Sequence, residues 1–173
     1  MRMLGIDASL TSTGLAWEES GRIITRRIRP NKYKGTPRLR QIMFEIEGVV
    51  DMYGITHIAL EGYSMGSRGG RAFSIGELGG CIKLFALKEN IRILIISPSS
   101  LKKFVAGNGS ADKDEMIKAV NRRWAKGITQ NDEADAYGLM MMGDAYYDPR
   151  KRGKYSKPEV EALQKVEIDC KYY

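Results

Sequence analysis

The sequence predicts an α/β domain built on a mixed five-stranded sheet, three antiparallel strands followed by two parallel ones, with helices on its faces. Three observations predict it. The chain opens with three apolar runs separated by short turns at Ala8-Ser9 and Ser20-Gly21, the pattern of an antiparallel meander. Two later apolar runs, ending at Glu61 and Ile96, are separated by a long helical stretch, as a parallel crossover requires. The last run, Ile91–Ile96, is almost continuously apolar, as expected of a strand covered on both faces.

In chain order, the meander comprises Met1–Asp7, Ser12–Glu18 and Arg22–Ile28. A helix then begins at Thr36, with Thr36 as N-cap and Pro37 at the first helical position, where the missing N–H costs nothing. Leu39, Ile42, Met43, Ile46, Val49, Val50 and Tyr53 form one apolar stripe, and Gly54 closes the helix. The strand Ile55–Glu61 leads into a glycine-rich loop from Gly62 to Gly70 and a long helix from about Ala72 to Glu89. After Ile91–Ile96, three helices follow over Pro98–Ala106, Asp112–Ala125 and Asp132–Tyr147. The periodic pattern stops at Asp148. Arg150, Lys151, Arg152, Lys154 and Lys157 then mark residues 148–173 as a flexible basic tail beyond a domain of residues 1–147.

At 173 residues the chain fits one domain. Its net charge of +7 favours a polyanionic partner. The sequence has no apolar run of membrane-spanning length, and the opening residues lack the order of a signal peptide. Cys81 and Cys170 are too few and too far apart for a disulfide framework or a zinc site, so a cytoplasmic location is expected.

The candidate chemistry lies in four carboxylates. Asp7 and Glu61 end predicted strands, and Asp132 and Asp135 open a predicted helix. Each has an ordinary explanation: Asp7 as a turn cap, the Asp132/Asp135 pair as first-turn acids favoured by the helix dipole. Glu61 is harder to explain so, because a glutamate ending a central apolar strand needs a partner or a metal. Asp132 and Asp135, three residues apart, share a helix face. Acids at strand ends and a helix start can converge on one rim of a sheet. Hard oxygen ligands gathered there suit Mg²⁺ or Mn²⁺, and two such ions suit phosphodiester hydrolysis.

The order of these motifs resembles the RuvC family of Holliday-junction resolvases, within the RNase H-like nuclease superfamily. The matching pieces are Gly5-Ile6-Asp7 with Thr13-Gly14, Leu60-Glu61, Ile75 to Gly80, Lys102 to Lys113, and Asn131 to Ala136. The stretch Gly107-Asn108-Gly109-Ser110-Ala111-Asp112-Lys113 is the most specific of them. The compact length is in keeping with a phage-type member. The resemblance implies an RNase H-like fold and makes Asp7, Glu61, Asp132 and Asp135 ligands of two Mg²⁺ ions, with Mn²⁺ able to substitute. It further implies cleavage of branched DNA at a four-way junction to a 5′ phosphate and a 3′ hydroxyl. It places Lys102 and Lys113 beside the scissile phosphate, with Lys103 as the alternative if the register slips by one. A homodimer paired through the long helix, where Gly76, Gly79 and Gly80 allow close approach, is also implied.

The loop after Glu61 offers Arg68 and Arg71 for phosphates and Tyr63 for stacking on an unpaired base. Bacterial members carry phenylalanine three residues after the glutamate, where this chain has Ser64, so junction-centre insertion and cleavage-sequence preference do not carry over. His57, the only histidine, reads as structural. Two alternatives stay open from the sequence: an RNase H-like nuclease acting on RNA–DNA hybrid or structured RNA, and a non-catalytic branched-DNA-binding protein.

Overall fold

Side chains along the first strand alternate between two cores, and this alternation organises the molecule. In β1 (Met3–Asp7), Leu4 and Ile6 join one apolar layer, while Met3 joins the other. The computed structural model describes residues 1–62, 70–124 and 127–169, with side chains from residue 76 onward in the helix that starts at Gly70.

β2 (Thr13–Glu19) and β3 (Arg22–Ile28) extend the sheet from β1 as an antiparallel meander. The turn between them holds Ser20 and Gly21 at φ 51° and 78°, two left-handed residues that fit the twist of a tight hairpin. β4 (His57–Glu61) and β5 (Arg92–Ile96) run parallel to β1 on its other side. A sixth strand, β6 (Glu167–Ile168), pairs antiparallel with β5, giving the order β3-β2-β1-β4-β5-β6. The five expected strands are present in the expected directions. The sixth was not anticipated, because a two-residue strand has no periodicity to read.

Helices α1 (Thr36–Tyr53) and α2 (Gly70–Lys88) cover one face, where Ile42, Ile46, Leu78 and Ile82 meet Leu4, Ile6, Leu15 and Trp17. Gly35, at φ 59°, takes the N-cap of α1 with no side-chain cap bond, so Thr36 is the first helical residue and not the cap. The other face holds α3 (Pro98–Ala106), α4 (Lys113–Arg123) and α5 (Asn131–Tyr147). Asp112 caps α4 in a reciprocal box with Glu115. α5 lies across β1, β2 and β4, and two strand glycines let it come close. A Cβ at Gly5 would stand 2.1 Å from the Ala136 carbonyl oxygen, and one at Gly14 2.0 Å from that of Asp132.

Where a flexible basic tail was expected, the chain folds back over α3. α6 (Pro149–Arg152) is followed by α7 (Lys157–Leu163), which buries Ala162 and Leu163 in the core containing Phe104. Glu159 of α7 is buried and ion-paired with Arg123, and Glu161 meets Lys103 at 3.0 Å. The sequence shows here only a short, mildly amphipathic stretch; a Ser156–Glu159 capping box starts the seven-residue helix, and tertiary packing holds it in place.

Candidate active site

One row of the sheet sets out the site. Strand pairing places Asp7 opposite Gly14, and Gly14 opposite Arg27, while Leu60 beside Ile6 brings Glu61 to the same end. At roughly 4.8 Å per strand, Arg27 is about 10 Å from Asp7 along this row. The first turn of α5 crosses above Gly14, whose missing side chain makes room for the backbone of Asp132. Asp132 therefore stands over the middle of the row, with Asp7 on one side and Arg27 on the other.

The acids divide into two electrostatic settings. Asp7 lies well above the usual carboxylate range, first because of burial and then because of Glu61 and Asp135. Its carboxyl hydrogen-bonds that of Glu61, which requires one proton between them. Burial also raises Glu61, against the opposing effects of this hydrogen bond and of Lys102. Burial and the charge of Glu61 push Asp135 up to about 7, although Asn131 Nδ2 donates to it at 2.7 Å and Lys102 opposes the shift. Asp132 behaves differently. Burial would raise it, but hydrogen bonds from Ser12 Oγ and from Arg27 Nε (2.8 Å) outweigh that and hold it below its ordinary value. Arg27 is in turn fixed by Gln130 Oε1 at 2.7 Å.

This donor set fits a hard divalent cation in its chemistry and its charge. Carboxylate oxygens are the preferred ligands of Mg²⁺ and Mn²⁺, and three acids crowded into a desolvated corner gain stability from a positive ion. Among the described residues, no three acids are already gathered closely enough to enclose an ion. Their contacts explain this: Asp7 and Glu61 meet each other, Asp135 meets Asn131, and Asp132 meets Arg27 and Ser12. Holding a cation requires some of these partners to be exchanged.

The lysines separate. Lys102, half-buried on α3, acts on both Glu61 and Asp135. Lys103 points to α7 and pairs with Glu161. Lys113 is exposed at the start of α4, without an ion pair to any of the four acids. Tyr63 and Arg68 lie outside the described residues, as does the side chain of Arg71. His57 begins β4, bonded through Nδ1 to Thr56 and edge-on to the Tyr147 ring, in keeping with a structural role.

Sequence reasoning missed Arg27 and Ser12. Arg27 could have been found: a two-residue turn at Ser20-Gly21 fixes the hairpin register and places Arg27 opposite Gly14.

A sheet of this order, with acids at the ends of adjacent parallel strands facing acids on α5, defines a protein of the RNase H-like class. The chain belongs to the RuvC family: the model described as "Crossover junction endodeoxyribonuclease RuvC" matches residues 3–142. The RuvC of Mycobacterium sp. (strain KMS) is 32% identical over 148 residues, covering 80% of each chain. That of Hydrogenovibrio crunogenus is 30% identical over 166 residues, covering 90% of this chain and 96% of the relative. Among solved structures, Thermus thermophilus RuvC superposes with a TM-score of 0.69 at 20% identity, covering 90% of this chain and 99% of that one. The structure of T. thermophilus RuvC in complex with Holliday junction substrate gives 0.68 at 18% identity, covering 82% and 91%.

Proposed function

We propose that the protein is a structure-selective endonuclease that resolves Holliday junctions by divalent-metal-dependent hydrolysis of a phosphodiester, leaving 5′ phosphate and 3′ hydroxyl ends. The observation that carries this reading is the mutual perturbation of Asp7, Glu61 and Asp135 at one sheet rim, with Asp132 adjoining and Lys102 alongside. Asp7, Glu61, Asp132 and Asp135 would hold the cations, Mg²⁺ or Mn²⁺, two per site. Bound there, they would supply an activated water and a polarised phosphate.

The chain's own groups do the rest. The raised affinity of Asp7 and Glu61 for a proton gives them one to release as a cation takes its place. Lys102 brings a positive charge beside these acids, where charge grows on the phosphate in the transition state. Gly5 and Gly14 let α5 approach closely enough for helix acids to adjoin strand acids.

A junction has two-fold symmetry, and paired cuts call for a homodimer. The outer face of α2 supports one: Gly80 is exposed, and Leu84, one turn on, is 68% exposed. Sedimentation of the purified chain tests it. Among the described residues no helix is long and apolar enough to cross a membrane, and we place the activity in the cytoplasm. The deciding experiment compares four-way junction, fork, flap, linear duplex and RNA–DNA hybrid with Mg²⁺. Preferential symmetric cutting of the junction is expected. Preferred cutting of the hybrid would move the protein to the RNA-directed branch of its superfamily, and binding without cutting would remove the catalytic reading.

A further inference from the structure

Every charged residue from Arg22 to Arg40 is an arginine or lysine, and the structure brings the second half of this stretch to the active-site end of the sheet. β3 runs toward that end, and its last residues, Arg27 and Ile28, lie opposite Gly14 and Thr13. The loop joining β3 to α1 therefore starts at the same rim as Asp7 and Asp132. Arg27 spends its charge on Asp132, but Arg29, Lys32, Lys34 and Arg40 are exposed and have no ion pair among the described residues. The loop is also shaped in advance. Asn31 N donates to Arg29 O at 2.9 Å, Tyr33 N to Pro30 O at 3.1 Å, and Arg38 Nε to Tyr33 O at 2.7 Å.

Resting on the junction-cleaving reading above, we propose that this loop is a phosphate-binding platform. It carries the backbone of a duplex arm as that arm leaves the site across the β3 edge. Unpaired cations on a preformed loop release counterions from DNA without first breaking ion pairs of their own. The exposed set is lysine and arginine, with Tyr33 44% exposed among them, residue types that neutralise backbone phosphates whatever the base sequence. The platform positions an arm and does not select its sequence.

The test measures binding of four-way junctions by an Asp7→Asn protein, with and without the further changes Arg29→Gln, Lys32→Gln and Lys34→Gln. The salt dependence of affinity should flatten by about 2 to 3 in log–log slope, about 0.9 for each phosphate that the variant no longer neutralises. The loss should be equal for junctions of different arm sequence. Removing exposed cations at the opposite end of the fold, Arg22→Gln with Lys88→Gln, should change the slope little. An unchanged slope in the triple variant, or the same slope change per charge from the distant pair, overturns the platform. Cleavage by the otherwise wild-type protein is scored separately. If no branched DNA is cut, the functional reading fails whatever the slope shows.

Discussion

Arg27 donates its Nε to the Asp132 carboxylate at 2.8 Å, fastening the outer strand of the meander to the first turn of the helix that carries two of the four acids. Both side chains are mostly buried, at 20% and 12% exposure, so the pair is shielded from the screening that weakens surface ion pairs. Breaking it from one side should therefore cost stability. Arg27→Met leaves a mostly buried carboxylate with Ser12 and its own backbone N–H for support and should destabilise the fold by about 1–3 kcal/mol. Arg27→Met combined with Asp132→Asn should cost less than the sum of the two changes. Urea unfolding of the four proteins measures the coupling, and additive effects would show that the ion pair contributes nothing.

The other three acids predict an unusual pH dependence in chelator. Their folded values lie above the ordinary carboxylate range, with Asp135 at about 7, so the folded state binds protons more tightly than the unfolded chain. The stabilisation from these groups is complete below about pH 4 and is lost as pH rises through the folded values. Melting temperature without metal should rise as pH falls from about 8 to about 5.5. Asp135→Asn should flatten that rise. Asp132 has the opposite sign, since its depressed value contributes stability that is lost only below about pH 4. Melting curves across this range decide the matter, and a metal-free protein that loses stability on the same acidification would contradict it.

Asp7→Asn should abolish junction cleavage while preserving the fold and junction binding. It removes an acid that burial, and then its acidic neighbours, push well above the usual carboxylate range, and it should raise the metal-free melting temperature by removing a carboxyl that is costly to ionise there. Single-turnover cleavage within about tenfold of wild type would sink the assignment, since losing an essential metal ligand should cost far more.

Lys102 and Lys113 should behave differently. Lys102→Ala removes a charge that lowers both Glu61 and Asp135, so the cleavage rate at saturating DNA should fall and its pH profile should move to higher pH. Lys113, exposed and without an acid partner in the site, should affect affinity more than rate. Rate–pH profiles for the two alanine variants separate these roles.

Leu163→Ala should destabilise the protein by about 2–5 kcal/mol, as expected for a buried leucine in a well-packed site. Leu163 is 3% exposed, within the core that includes Phe104. A melting temperature close to that of wild type would return the C-terminal segment to the status of a loose appendage.

The meander, the parallel pair and the helix order were legible because each rests on a periodicity several residues long. Where the four proposed site acids fall in the fold was legible for a related reason: they end or begin elements whose apolar residues announce them. What the sequence concealed was mostly short or relational. Gly35 displaced Thr36 as the cap of α1 because a left-handed glycine can start a helix without a side-chain bond. α7 starts with a local Ser156–Glu159 capping box, but it is held to the fold through Leu163 and the Glu159–Arg123 pair, whose partners are distant in sequence. Arg27 looked like one more surface cation until the hairpin register set it beside Asp132.

The two ends of the sheet bear on how the molecule avoids its own kind. An open strand edge is a template for another chain, and mixed sheets that expose one tend to aggregate. On one side, β6 covers β5 with only two residues, leaving too short an edge to propagate. On the other, β3 presents exposed arginines, Arg22 and the Glu45-paired Arg26, so a second β3 edge brought alongside would set Arg22 side chains near one another. In a chain of net charge +7, both borders of the sheet are thus poor templates for strand-to-strand growth.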